Sequence, residues 1–191
     1  MIYERHENIS YRPTRYRIDS LCRKRSCAVS CTRQGHAAQC YDYALAGNSG
    51  SRTALETCSN ALDTVISRKD RAATYVNRGL LYMRKGDQEK AMTDYTSAID
   101  IKPDLTQAYV NQGASFIRLK KFDAAIEALN TALEDKESPT RAAALYNRAI
   151  ALDWKEDYKG AYFDLKEALG IRPDWTPALN LISRYEVRPA G

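Results

Sequence analysis

A pattern that repeats every 34 to 36 residues constrains this chain more than any other feature. A unit of that length cannot bury its apolar face alone and must stack on its neighbours. Residues 72–104 read AATYVNRGLLYMRKGDQEKAMTDYTSAIDIKPD. From Thr106 comes TQAYVNQGASFIRLKKFDAAIEALNTALEDK, and from Ala142 comes AAALYNRAIALDWKEDYKGAYFDLKEALGIRPD. Tyr75, Asn77 and Gly79 recur as Tyr109, Asn111 and Gly113 at an offset of 34, then as Leu145, Asn147 and Ala149 after a further 36. Ala91, Tyr95, Ala98 and Pro103 are matched in the last unit by Ala161, Leu165, Ala168 and Pro173.

Each unit holds two stretches of helical apolar periodicity, such as 72–84 and 88–101, separated by a short polar turn like Lys85-Gly86-Asp87. Gly79, Gly113 and Ala149 fall where the two helices of a unit cross, since only a small side chain lets the backbones approach there. Ala91, Ala125 and Ala161 do the same on the second helix, and Ala98, Ala132 and Ala168 admit the next unit. Tyr82, Phe116 and Leu152 fill the space between, together with Tyr95, Leu129 and Leu165. Pro103 and Pro173 stop the second helices.

These residues resemble the tetratricopeptide repeat, whose pattern is an aromatic, two residues, Leu-Gly, two residues, Tyr, then Ala, Phe, Ala and Pro. The resemblance covers 72–175, about half the chain, and is to small bacterial proteins of that family. Arg78, Gln112 and Arg148 depart from it by standing where Leu is usual, and Pro139 lies two residues late. The helix ending near Lys136 therefore either runs on or loops before Arg141. The resemblance implies an all-α, right-handed superhelical solenoid of helix-turn-helix units, about three and a half repeats plus a C-terminal capping helix. The units are placed at 72–105, 106–141 and 142–175, with a half or degenerate repeat at 36–71 and a cap at 176–186. Residues 36–191 form the domain, and 1–35 form a basic arm expected to be disordered.

Residues 1–35 hold eight basic side chains against three acidic ones, a difference equal to the formal charge of +5 of the whole chain. The repeats are therefore neutral, and any case for nucleic acid rests on the arm, where Tyr3, Tyr11 and Tyr16 interleave with Arg12, Arg15 and Arg17. Binding of nucleic acid or an anionic surface through that arm is the alternative reading of function. No run of about 18 apolar residues exists.

The five cysteines lie in the first third, at 22, 27, 31, 40 and 58. Cys40 and Cys58 sit on the two helices of the incomplete first unit, where they are either a disulfide or two buried thiols serving as small apolar residues. Cys22, Cys27, Cys31, His36 and Cys40 lack the tight pairs of a structural zinc site. With no secretory-signal pattern the chain is cytoplasmic as written. From Cys40 onward it also resembles exported bacterial repeat proteins, which implies the periplasm if 1–35 stand in place of a signal peptide.

Catalysis finds no support. The two histidines, His6 and His36, both precede the repeats, and the chain has no Gly-rich phosphate loop. No cofactor is expected. The first helices of stacked pairs line a concave face. There Asn77, Asn111 and Asn147 stand in register, and an amide offers both a donor and an acceptor to an extended peptide backbone. The same face is expected to carry Leu80, Arg84, Arg118, Tyr146, Ile150 and Trp154. The expected partner is a protein or extended peptide, with Arg84 and Arg118 favouring an acidic segment or a free C-terminal carboxylate.

Overall fold

The structure is a computed structural model describing residues 8–11, 28–31, 35–46 and 51–188. Among the described residues, four antiparallel helix hairpins follow one another. They are α1 (Gly35–Ala46) with α2 (Arg52–Leu62), α3 (Arg68–Lys85) with α4 (Gln88–Ile101), α5 (Thr106–Arg118) with α6 (Phe122–Glu134), and α7 (Arg141–Trp154) with α8 (Tyr158–Ile171). A short helix, α9 (Thr176–Ile182), covers the end of the stack. The chain is thus an all-α solenoid of helical repeats, to which one two-stranded ribbon is added.

Side-chain caps fix several of the helix starts. The side chains of Ser67, Asp87 and Asp157 each accept a hydrogen bond from the backbone N–H three residues on, at 3.0, 3.2 and 2.9 Å. The turn inside each of the last three hairpins passes through one left-handed residue: Gly86 at φ 96°, Lys120 at φ 58° and Glu156 at φ 64°. These three positions are equivalent, so units two and three make with side chains a turn that the first makes with glycine.

The crossings inside the units are as tight as the small residues require. A Cβ added at Gly79 would lie 2.6 Å from the Tyr95 ring, and one at Gly113 would lie 2.6 Å from Cγ of Leu129. Ala91, Ala98, Ala125, Ala149, Ala161 and Ala168 are all fully buried. Leu80, Tyr95, Val110, Ile117, Leu129, Leu145, Ile150 and Leu165 belong to one continuous core that runs through three units.

Two readings that the sequence leaves open are resolved, and one expectation needs revision. The segment 36–71 is a complete hairpin, its helices joined by the Cys40–Cys58 disulfide with the Cα atoms 4.8 Å apart. After α6 the chain loops, and Ser138, Thr140 and Thr106 close the bend with a hydroxyl cluster at 2.8 to 3.4 Å. The C-terminal cap stops at Ile182, not 186, and gives way to strand β2 (Tyr185–Arg188). Tyr185 is buried there and its hydroxyl donates to Oδ1 of Asp153 at 2.5 Å.

The partner of β2 comes from the arm. Strand β1 (Asn8–Tyr11) pairs antiparallel with it, from Asn8 opposite Arg188 to Tyr11 opposite Tyr185, and packs against α8. A second stretch of the arm, residues 28–31, lies against α3. The arm was expected to be unstructured, yet each of its described stretches is docked on the repeats.

Candidate inner-face binding site

Helices α3, α5 and α7 are the first helices of their units and line the inner face. On α3 the side-chain amide of Asn77 meets the backbone of Val29. Its Oδ1 accepts the Val29 N–H at 2.8 Å and its Nδ2 donates to the Val29 carbonyl at 2.8 Å. One asparagine therefore satisfies both backbone groups of one extended residue, using the donor and acceptor that an amide carries together. Asn77 is fully buried, and a buried amide with either group unmet is costly. Around this pair, Val29 packs with Ala72, Val76, Leu105 and Ala108. The Cys31 sulfur lies 3.9 Å from the Thr74 hydroxyl and 3.8 Å from Nδ2 of Asn77, and burial pushes its thiol pKa up.

The other expected site residues divide. Asn111 and Asn147 are buried on α5 and α7 in the same register as Asn77. Leu80 and Ile150, expected to face a ligand, are fully buried in the main core. The reason is that successive first helices pack on one another, so this edge of the helix is already covered. Arg84 also leaves the expected role. Its Nη1 donates to the Ala44 carbonyl at 2.6 Å in the last turn of α1, and burial lowers its pKa from the usual guanidinium value. A cation on the final turn of a neighbouring helix complements the carbonyl end of that helix. Arg118 is half-buried at the end of α5.

The two aromatics expected on this face differ in exposure. Tyr146, 4% exposed, meets Trp175 with ring centroids 4.8 Å apart, and Arg172 lies 4.5 Å from the centre of the Trp175 ring. Trp154 lies at the end of α7. It stacks on Phe122 of α6 at 5.5 Å, nearly parallel, and stays 45% exposed.

Sequence reasoning missed two features. The first is a pair of ion pairs inside the units. Arg78 holds Asp94 through Nε at 2.9 Å and Nη2 at 2.7 Å, while Arg148 holds Asp164 through the same two nitrogens at 2.7 Å each. The signal was present, because the middle unit has Gln112 and Ala128 at both equivalent positions, so the charges are gained or lost together. The second is the docked arm stretch, for which residues 28–31 carry no periodic pattern to read. Cys40, bound to Cys58, is no longer a thiolate that zinc could use. Among the described residues no helix is long and apolar enough to cross a membrane.

A helix-hairpin solenoid with small residues at fixed crossings defines a class of repeat proteins, and comparison with known families names it. Residues 72–105 and 110–174 each match the tetratricopeptide repeat, together more than half of the chain, which belongs to that family. The fold is similar to that of YrrB, described as a tetratricopeptide protein with an unusual peptide-binding site. The identity is 19% over 76% of this chain and 72% of that one, with a TM-score of 0.61. It is also similar to MamA (residues 41 to the end) from Desulfovibrio magneticus RS-1, at 16% identity over 79% and 84% with a TM-score of 0.60. The first such domain of the human RPAP3 protein matches at 24% identity over 59% and 87%, with a TM-score of 0.56. At these identities the likeness is one of fold. Family membership makes the chain a protein–protein interaction module in general terms.

Proposed function

We propose that the inner face binds an extended segment of a partner protein through the asparagines of the first helices, and that the chain acts as an adaptor without catalysis. The observation that carries this reading is the two-point grip of Asn77 on the backbone of Val29. A side chain that pairs with both backbone groups of a residue reads extension and not identity, which suits a partner presented as a strand-like peptide. Asn111 and Asn147 repeat the same residue at the same place on the next two units, so the grip can be extended along the stack. With Arg84 committed to α1, a preference for an acidic segment or a terminal carboxylate rests on Arg118 alone.

The test is affinity capture from source lysate with wild type and with Asn77→Ala/Asn111→Ala/Asn147→Ala, after circular dichroism shows equal helicity. Partners retained by wild type and lost from the triple variant are expected. A partner kept by the variant at low salt and released steeply as salt rises would instead place binding on the basic arm.

A further inference from the structure

We propose that residues 28–31 are a built-in occupant of the inner face, held in cis by Asn77, which a partner segment must displace before it can bind. The proposal rests on the reading of that face as a peptide site. Three observations carry it. The contact is of ligand type: both backbone groups of Val29 are taken by one side chain 48 residues away, and the Val29 side chain enters an apolar cluster between α3, α4 and α5. The segment belongs to neither a helix nor a strand, so Asn77 meets a backbone with no secondary structure of its own. It also leaves its site incompletely filled. A cavity of about 410 Å³ opens beside Ala28, Val29 and Ser30 and continues past Lys69 to Gln107 and Thr140 at the starts of α5 and α7. An incoming chain has room there to make its first contacts before it replaces Val29.

Attachment makes weak contacts sufficient. A tethered segment acts at an effective concentration on the order of mM, so a few hydrogen bonds and one half-buried valine keep the face closed to weak ligands. The apparent affinity for a partner is then the intrinsic affinity reduced by the fraction of molecules in which the segment is off. The arm is also fixed at its other described stretch, where β1 pairs with β2 beside α8. Release of residues 28–31 therefore does not require the arm to leave the molecule.

The experiment uses the full-length chain as wild type, Val29→Pro and Asn77→Ala, with two readouts. Proline at 29 has no N–H to donate, so it loosens the segment while leaving every residue of the receiving face intact. The first readout is alkylation of Cys31 by iodoacetamide, located by tandem mass spectrometry. Burial and a raised pKa make this thiol slow while the segment is docked. The second is fluorescence-anisotropy binding of a labelled synthetic peptide with the sequence of residues 26–33. The expected result is alkylation about tenfold faster in both variants, and peptide binding about tenfold tighter in Val29→Pro than in wild type but lost in Asn77→Ala. Unchanged alkylation in both variants overturns the proposal, since Asn77 would then not hold the segment. Faster alkylation with equal peptide affinity in wild type and Val29→Pro also overturns it, because the segment would not compete. The face itself is scored by the triple asparagine variant. Partner capture that survives those substitutions sinks the peptide-site reading, whatever Cys31 shows.

Discussion

A methyl group added at Gly79 and one added at Gly170 have opposite expected effects, although both positions are helical. At Gly79 the new Cβ falls 2.6 Å from a ring carbon of fully buried Tyr95, with the Ala91 carbonyl 3.2 Å away on the other helix. Overpacking of about 1–3 kcal/mol then outweighs the roughly 1 kcal/mol that alanine gains over glycine in a helix. At Gly170 nothing lies within 4 Å, so Gly170→Ala is expected to stabilise by about 0.5–1 kcal/mol. Urea denaturation of the two variants checks both signs. The Arg78–Asp94 pair gives a second test at this scale, because the Asp94 side chain is 4% exposed and that of Arg78 is 19% exposed. Asp94→Ala leaves a half-buried guanidinium without its carboxylate, an expected loss of about 3 kcal/mol. The double change Arg78→Gln/Asp94→Ala, which copies the middle unit, should recover most of that loss in the same denaturation assay. Residues acting through size were legible in the sequence, because a small side chain at a crossing recurs with the repeat. Arg78 and Arg148 were legible only as departures. Their partners lie 16 residues on, on the other helix of the hairpin, and only the fold brings them within reach.

Between the helices of the last three hairpins the backbone turns through a left-handed residue, and this is where two units depart from their best sequence. Lys120 and Glu156 sit at φ 58° and 64°, where a Cβ costs on the order of 1 kcal/mol, while the equivalent Gly86 is free of that cost. Lys120→Gly and Glu156→Gly are each expected to raise stability by about 0.5–1 kcal/mol, whereas Gly86→Ala should lower it by a similar amount. Thermal melts followed by circular dichroism would read the series. The helices themselves were foreseeable because their apolar period and their small residues agree. The end of the cap was not. Thr176 to Tyr185 keeps enough apolar residues to pass for one helix, but Tyr185 turns inward to Asp153 and the strand that follows pairs with Asn8–Tyr11. A strand of four residues is decided by its partner more than by its own composition, and here that partner lies at the opposite end of the chain. The candidate site divides in the same way. The register of the three asparagines follows from the repeat, whereas the occupant of Asn77 comes from a stretch outside it.

At the scale of the molecule, a stack of hairpins is a one-dimensional array in which each unit is held by its neighbours. The first hairpin differs from the others in needing a covalent link. Beyond Cys40 and Cys58 its helices bury mostly small side chains, Ala37, Ala44, Ala54 and Ala61, with Leu55 and Leu62, against Leu81 of α3. The link spans 18 residues of sequence, for which the loss on reduction is about 3 kcal/mol. In a nearest-neighbour array that loss is local. Reduction, or Cys40→Ala/Cys58→Ala, is therefore expected to raise hydrogen exchange in α1 and α2 while α5 to α8 stay protected. The arm complicates this expectation in a way the same measurement resolves. Its described stretches touch both ends of the stack, β1 beside α8 and Val29 on Asn77 of α3, a closure made by the chain itself. If that closure couples the ends, loosening the first hairpin will also raise exchange in β2 and α9, with the middle units unchanged. Exchange confined to α1 and α2 would show an open array whose arm is docked at two independent points. Exchange rising at both ends and not between them would show that the arm makes the stack behave as a closed unit, and that a partner displacing residues 28–31 is felt at the opposite cap.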